Sequence, residues 1–295
     1  MAYTANDLQK ITEFIKNGLD KKIRVASLTA RFDVANDQLK PTGIAGVYKY
    51  PQIDVGTGLE NYDRTNGYTT NGAIVQAWKD FQCDYDRSKR ILVDPVDDAQ
   101  SAGIAIANVA SIFMENHVVP EIDAVRFAKY ATKAGTVEAV ALTDTNIVDE
   151  YLKGIQKIQE SEFPLTSFTL FVTPAVGIAL RKAFNGTRYT QTTETAVGTT
   201  VATIDGIPVV VVPSNRFHTE CTLNANGGFT PAGKQVEMMF VSALSVLQIT
   251  DHEANRVFSP EVFQGANAWA WDYRVFHGVT VLDNKKAGIY CITEV

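Results

Sequence analysis

The chain has 295 residues, of which 45% are hydrophobic, and its 27 basic and 33 acidic residues give a formal net charge of −6. This composition is that of a globular protein with a sizeable core, so wholesale disorder is excluded. The acidic balance argues against a dedicated nucleic-acid binder, which depends on a basic surface, but it is compatible with a protein that encloses nucleic acid.

The sequence gives no signal for secretion or for membrane insertion. The first residues contain no basic segment followed by an apolar run, so we expect no signal peptide. No stretch approaches the roughly 20 apolar residues that cross a bilayer. Cys83, Cys221 and Cys291 are far apart and in no metal-ligand spacing, so we expect reduced thiols.

The first periodic segment lies within residues 5–23, where apolar residues recur every three or four positions. They are Leu8, Ile11, Ile15, Leu19 and Ile23. This spacing predicts a short amphipathic helix, which would be marginal in water without a partner. No clear period follows as far as Pro41. We therefore expect residues 1–46 to form an extended arm that docks on another surface, such as that of a neighbouring copy.

Residues 44–93 are rich in glycine and tyrosine and contain the Asn-Gly steps Asn66-Gly67 and Asn71-Gly72. Asn-Gly supplies the positive φ values of tight hairpin turns. The pattern predicts a long hairpin over residues 47–86, with its return strand at residues 73–81. Apolar residues are too sparse to bury such a hairpin, and an isolated hairpin is marginal in water. We expect either a mobile flap or a hairpin ordered by lying across another subunit.

The strongest helix signal begins at Asp97, which forms a capping-box pattern with Gln100. It predicts a helix over residues 98–116, roughly 28 Å long at 1.5 Å per residue. Pro120 then suits the first turn of a second helix over residues 121–131, with Gly135 closing it.

Residues 135–249 show alternating helical and strand patterns. The patterns predict helices at 146–160 and 173–184, strands at 167–172 and 236–241, and surface loops at 185–200 and 214–235. Asp205-Gly206 stands between two apolar runs, which predicts a hairpin of residues 201–204 and 207–212. The valine run at 209–212 predicts a strand covered on both faces.

The carboxyl-terminal part favours strands. Large residues alternate with small or charged ones over residues 268–281, which is typical of a half-buried strand. We expect a turn at residues 283–288 and a returning strand at 289–292.

No motif supports catalysis or cofactor binding. Residues 228–234 have the glycine and lysine spacing of a phosphate-binding loop, but Gln235 stands where that motif needs Ser or Thr, and no strand precedes it. The acidic groups around Asp97 and Asp251 suit helix capping and a solvated turn. The four histidines share no zinc-site spacing. We expect no catalytic residue, no cofactor and no metal.

Four groups of residues carry a resemblance to a known family. They are Tyr62-Asp63-Arg64 with Gly67-Tyr68, Gly72, Val75 and Trp78; Asp86-Arg87-Ser88 with Leu92-Val93-Asp94 and Asp97-Asp98; Asp205-Gly206-Ile207-Pro208-Val209 with Val212-Pro213-Ser214-Asn215-Arg216-Phe217; and the strand at 268–281 with Gly288-Ile289-Tyr290. In this order they resemble the hairpin loop, the start of the spine helix, the axial-domain hairpin and the last peripheral strands of tailed-bacteriophage major capsid proteins. The resemblance is to the Hong Kong 97-type shell fold, in phages of Gram-positive bacteria.

The resemblance implies an α+β fold with four parts. They are an amino-terminal arm at 1–46, an extended hairpin loop at 47–86, a peripheral domain at 87–134 and 250–295 that includes the spine helix 98–116, and an axial domain at 135–249. Residues 1–46 are too few for the fused scaffolding domain of some members, so either a separate scaffolding protein is implied or the subunit is used uncut.

The resemblance also implies a structural function and no enzymatic one. The subunit would assemble with itself as hexamers and pentamers into an icosahedral shell around double-stranded DNA. Its partners would be scaffolding and portal proteins and, non-specifically, the packaged DNA, with no membrane involved. It would reside in the virion after assembly in the host cytoplasm.

Eight residues are candidates for contacts between subunits. They are Tyr62, Asp63, Arg64, Tyr68, Trp78, Arg87, Lys89 and Arg90. The basic ones could pair with acidic patches such as Glu60, Asp63 and Asp84, or they could be solvated. Two alternative functions stay open: an encapsulin-like compartment that stores a cargo enzyme, and a soluble α/β enzyme.

Overall fold

A computed structural model describes residues 27–33, 39–55, 62, 64–65, 74–94, 110–184, 189–193, 200–263 and 265–295. The predicted helix at 5–23, the two Asn-Gly steps and the first part of the predicted spine helix lie outside these residues. So do Asp63 and Tyr68. Within the described residues, fourteen strands form three sheets beside a set of helices, which confirms the α+β class.

The predicted hairpin loop is a three-stranded antiparallel sheet. Strand β2 (Val47–Val55) pairs along its full length with β3 (Ile74–Gln82), and the short β1 (Lys40–Pro41) pairs with the start of β2. The return strand is therefore confirmed. Nine residues of extended strand span about 27 Å, so the far ends of β2 and β3 lie well away from the base of the hairpin.

A second sheet consists of β4 (Tyr85–Val93), β12 (Val246–Phe258) and β13 (Trp269–Val281), with β13 in the centre. The two-residue period predicted for β13 is confirmed. Trp271, Tyr273 and Val275 are buried on the face that packs against the helix described next, while Arg274 between them is exposed.

The helix on this sheet is continuous where the sequence predicted two separate helices. Residues 110–113 lead into a π-helical turn, Met114–Val118, and then into α1 (Val119–Thr132). The predicted break is wrong for a physical reason. Pro120 lacks the N–H that an α-helix needs and its ring crowds the carbonyl four residues earlier, and the wider π turn just before it keeps the helix going.

The third sheet has eight strands in the order β5-β14-β11-β6-β9-β8-β7, with β10 paired to β11. The strands are β5 (Thr136–Ala139), β6 (Phe168–Val172), β7 (Tyr189–Thr193), β8 (Thr200–Ile204), β9 (Ile207–Val211), β10 (His218–Leu223), β11 (Phe229–Ser242) and β14 (Ile289–Thr293). Two predicted helices, α2 (Ile147–Glu160) and α3 (Pro174–Ala183), cover one face, and α1 covers the other. The predicted Asp205-Gly206 hairpin is confirmed as β8–β9.

Four predictions about strands and loops were wrong. Strand β14 pairs with β11 and β5 and not with β13. Its alternate residues enter the cores on both sides of the large sheet, so its apolar faces need a sheet covered on both sides. The loop predicted at 214–235 is the β10–β11 hairpin, and part of the loop predicted at 185–200 is β7. Strand β9 is only partly covered, since Val211 is 41% exposed.

Residues 27–33 pack on their own subunit, which corrects the prediction that the whole arm docks elsewhere. Phe32 is buried between the rings of Tyr130 and Phe171, at centroid distances of 6.3 and 5.9 Å. The sequence did not reveal this contact because Tyr130 and Phe171 come much later in the chain.

Candidate subunit interface

The hairpin is anchored at its base. Phe81 and Cys83 are buried against Leu247 and Ile249, and the Tyr48 hydroxyl donates to Asp251. Burial and that carboxylate raise the pKa of Tyr48 to about 12, and burial raises the pKa of Cys83 to about 12. The base is therefore a fixed part of the subunit.

The outer face of the hairpin base presents Trp78, which is 48% exposed. The Lys40 ammonium lies 5.2 Å from the centroid of its ring, a cation–π contact. Lys49, opposite Lys40 in the strand register, is 3.8 Å from Asp80. Farther along the hairpin loop, Tyr62 is 61% exposed and Arg64 is also exposed. The structure thus places three predicted contact residues at the surface.

The second sheet has an open face opposite its helix, and cross-strand ion pairs fill it. Arg90 donates two hydrogen bonds of 2.5 Å to Asp272, and Arg274 donates two to Asp86 at 2.9 and 2.6 Å. The guanidinium of Arg90 holds the pKa of Asp272 below its usual range, and Arg274 does the same for Asp86.

The far end of this open face is apolar. Leu92 is 49% exposed and Val262 is 64% exposed, and the Phe263 ring lies 5.3 Å from the Arg90 guanidinium. Exposed apolar side chains beside paired charges are typical of the surface that a protein partner covers.

Arg87 acts inside the subunit. Its guanidinium donates to both oxygens of Glu121, at 2.7 and 3.4 Å, and to the backbone carbonyl of Asn224 at 3.0 Å. It joins β4, α1 and the turn between β10 and β11. The structure therefore uses this predicted contact residue to hold three elements of one chain together.

The same three elements surround a cleft of about 540 Å³. Its apolar lining includes Phe113, Ile122, Phe229, Tyr273 and Val275, and its polar lining includes Lys89, His117, Asn226 and His277. Lys89 is exposed, and it forms no ion pair with any other described residue. The Nδ1 atom of His277 is buried without a hydrogen-bond partner in the described part of the chain.

The sequence did not reveal that Asp272 on β13 is the partner of Arg90, nor that the Nδ1 atom of His277 is buried with no hydrogen-bond partner among the described residues. The sequence left Arg90 either paired with acidic residues of a neighbouring subunit, such as Glu60, or solvated, whereas within the subunit the structure pairs Arg90 with Asp272. The sequence did contain a sign of this pairing. Asp86 and Arg90 share one face of their strand, and Asp272 and Arg274 share one face of theirs, so each strand offers one acidic and one basic side chain to the other.

Other kinds of site find no support in the described residues. No group of three His, Cys, Asp or Glu side chains among them could hold a metal ion. Nor do they include a helix with the length and apolar character needed to span a membrane. Cys83, Cys221 and Cys291 are free thiols.

Comparisons with known proteins establish the fold. A scan against protein-family models and a search of curated proteins give no match. A structure from Gordonia phage Cozz matches with a TM-score of 0.61 at 12% identity, over 91% of this chain and 86% of that chain. The capsid structure of the cyanophage P-SCSP1u matches with a TM-score of 0.59 at 14% identity, over 87% and 85%.

A crystal structure of a virus-like particle from Pyrococcus furiosus matches with a TM-score of 0.50 at 10% identity, over 95% of this chain and 98% of that chain. At such identities the likeness concerns the fold. The chain has the Hong Kong 97-type fold of phage capsid structures, as the sequence resemblance implied.

Proposed function

We propose that this chain, which has the fold of phage capsid structures, is the major capsid protein of a tailed bacteriophage. Many copies self-assemble into the icosahedral shell that encloses the double-stranded DNA genome. The observation that most directly supports this proposal is the match to the capsid structure of a cyanophage, over 87% of this chain and 85% of that chain. The function is structural, and no chemical step is assigned to the chain.

Two surfaces support assembly. The β2–β3 hairpin extends about 27 Å from its anchored base, and a two-stranded hairpin gains little stability by itself. The open face of the second sheet offers exposed apolar and charged side chains. In a closed symmetric shell each such contact is repeated for every copy, so weak contacts add up.

We assign the second sheet and the helix that contains α1 to the peripheral domain, and the eight-stranded sheet with α2 and α3 to the axial domain. Strand β14 belongs to the axial domain by its pairing with β11 and β5, so the peripheral domain ends before Ile289. The hairpin loop and residues 1–46 complete the subunit.

The partners follow from the shell. The subunit contacts itself in hexamers and pentamers, contacts scaffolding and portal proteins during assembly in the host cytoplasm, and resides in the virion. The net charge of −6 keeps contact with packaged DNA weak and non-specific, because like charges repel.

Electron microscopy of the purified, overexpressed chain tests the proposal. Closed shells, or rings of five and six subunits, are the expected result. A small species of one size in light scattering, with no larger assembly over a range of salt and protein concentrations, would refute it.

The second candidate is a compartment of the encapsulin type. The likeness to the virus-like particle from Pyrococcus furiosus favours it, but that TM-score of 0.50 is lower than the 0.61 of the Gordonia phage structure. A protein that copurifies inside the shells in fixed stoichiometry would support the compartment.

A further inference from the structure

Residues 27–33, the tie segment, lie where the axial and peripheral domains meet. On the axial side, the Arg31 guanidinium donates a hydrogen bond of 3.1 Å to the hydroxyl of Thr169 on β6. The Phe32 ring is buried and contacts Phe171 of the same strand, at a centroid distance of 5.9 Å. The tie segment is therefore attached to the large sheet by one polar and one aromatic contact.

On the peripheral side, the tie segment contacts both α1 and the second sheet. The Phe32 ring packs against Tyr130 of α1 at a centroid distance of 6.3 Å. On β12, the fully buried side-chain amide of Gln248 donates to the backbone carbonyl of Thr29 at 2.7 Å and to the Asp33 carboxylate at 2.8 Å. One segment of seven residues thus joins the second sheet, α1 and the large sheet.

Buried charges fix the position of the tie segment. Arg126 of α1 is buried, and both partners of its guanidinium among the described residues, Thr29 and Asp33, belong to the tie segment. Asp123 of α1 is also buried and accepts a hydrogen bond of 2.7 Å from the Ser27 hydroxyl. Removing one partner of a buried ion pair is strongly unfavourable because the other charge stays buried without compensation. A shift of the tie segment along α1 would do this, so the segment fits in one register.

The direct packing of α1 on the large sheet is apolar. Val125 and Phe127 of α1 lie in one cluster with Met239 and Val241 of β11. Apolar burial is non-directional, so this packing tolerates small rotations of one domain on the other. Hydrogen bonds need a defined distance and angle, and the tie segment supplies them to both domains.

We propose that the tie segment sets the angle between the axial and peripheral domains and thereby the curvature of the shell. This inference rests on the proposed shell function. In a closed shell of identical subunits, the shape of each subunit determines how its neighbours are inclined to it. A subunit whose two domains rotate on each other can then close into shells of more than one diameter.

Spin labels on the two domains measure the angle in the unassembled subunit. The labelled chain carries Ser88→Cys on β4 and Lys182→Cys on α3, both at exposed positions, and Cys221→Ser because Cys221 is only partly buried. Pulsed electron paramagnetic resonance should give one narrow distance distribution. We expect Phe32→Ala to broaden or shift this distribution.

The matched control is Ile158→Ala. Ile158 is buried in the core on the other face of the large sheet, so its loss lowers stability without touching the tie segment, and the distance distribution should stay narrow. In electron micrographs we expect shells of mixed diameter from Phe32→Ala and of uniform diameter from Ile158→Ala. If Phe32→Ala does not fold, Arg31→Ala takes its place, since it removes the hydrogen bond to Thr169 at an exposed position.

The two proposals fail in different ways. An unchanged distance distribution, or uniform shells of wild-type diameter, from the folded tie-segment variant would overturn the role of residues 27–33 and leave the shell function standing. A wild-type chain that forms no shells would overturn the shell function and the link to curvature. The label distances in the unassembled subunit would still decide whether the tie segment sets the angle between the domains.

Discussion

The Oγ1 hydroxyl of Thr29 donates a hydrogen bond of 2.8 Å to Asp123, which lies 94 positions later in the chain. The same hydroxyl accepts one of 3.1 Å from Arg126, whose side chain is 2% exposed. A short segment before the hairpin thus supplies partners to two buried charges on α1. This contact makes residues 27–33 part of the subunit's own fold.

Replacing Thr29 by valine keeps the shape of the side chain and removes its hydroxyl. Asp123 keeps its hydrogen bonds from Ser27 and Leu28, and Arg126 keeps its ion pair with Asp33. Each of the two charged groups nevertheless loses one hydrogen bond, and a hydrogen bond to a charged group contributes about 1.5–3 kcal/mol. We expect the free energy of unfolding to fall by about 2 kcal/mol, measured by urea unfolding at one fixed protein concentration. Thr222→Val, at an exposed position of β10, is the control. Equal stability of both variants would contradict this account.

Arg87 and Arg90 allow a test of the two kinds of ion pair. Arg87 and its partner Glu121 are largely buried, with side-chain exposures of 26% and 13%, and Arg87 also binds a backbone carbonyl. We expect Arg87→Ala to lower the free energy of unfolding by about 2 kcal/mol, since hydrogen bonds to charged groups contribute about 1.5–3 kcal/mol each.

Arg90→Ala is the matched variant. Arg90 pairs with Asp272 on an open surface where solvent screens the charges, so we expect almost no change in stability. If the open face lies between subunits, this variant should instead raise the protein concentration needed for assembly, measured by light scattering. A large loss of stability in Arg90→Ala would show that the pair acts within the subunit.

A structural feature could be predicted from the sequence where the contact that determines it is local. Asp205-Gly206 predicted its hairpin because positive φ values of 52° and 82° are a property of those two residues in the turn itself. The partner of Arg90 is 182 positions away, and no local pattern selects it. Likewise β14 has the apolar residues of any buried strand. Only the three-dimensional structure shows that it lies in the large sheet, where both of its faces are buried.

His277 makes stability depend on pH. Burial lowers the pKa of His277 to about 3, so the folded chain keeps this imidazole neutral while the unfolded chain protonates it near pH 6.5. The unfolded state therefore binds more protons between these two values, and stability falls as the pH drops below 6.5. At about 1.4 kcal/mol per unit, this group removes roughly 3 kcal/mol between pH 7 and pH 4.

The expected result is that His277→Phe flattens this acid slope. Phenylalanine retains the stacking on Tyr85, whose ring centroid lies 5.2 Å from that of the imidazole. The lowered pKa values of Asp86 and Asp272 also make the folded chain less stable in acid. This contribution is the same in the wild type and in His277→Phe, so the difference between their acid slopes measures His277 alone. His117→Phe, at an exposed position, is the control, and an unchanged slope in His277→Phe would refute the assignment.

Shortening the hairpin separates folding from assembly. Val55 and Ile74 are a registered pair at the last described rung of β2 and β3, so an Asn-Gly turn can replace residues 56–73 and connect the strands directly. The hairpin base is anchored by Phe81, Cys83 and Leu247, and the deletion does not reach it. We therefore expect the shortened chain to unfold at the same urea concentration as the wild type but to form no shells in electron micrographs.

A second variant, with a glycine–serine segment of equal length at residues 56–73, restores the length without the side chains of Tyr62 and its neighbours. If neither variant assembles, side chains of the loop join the subunits. If the glycine–serine variant assembles, the length of the loop alone is sufficient. Normal shells from the shortened chain would show that the loop takes no part in assembly.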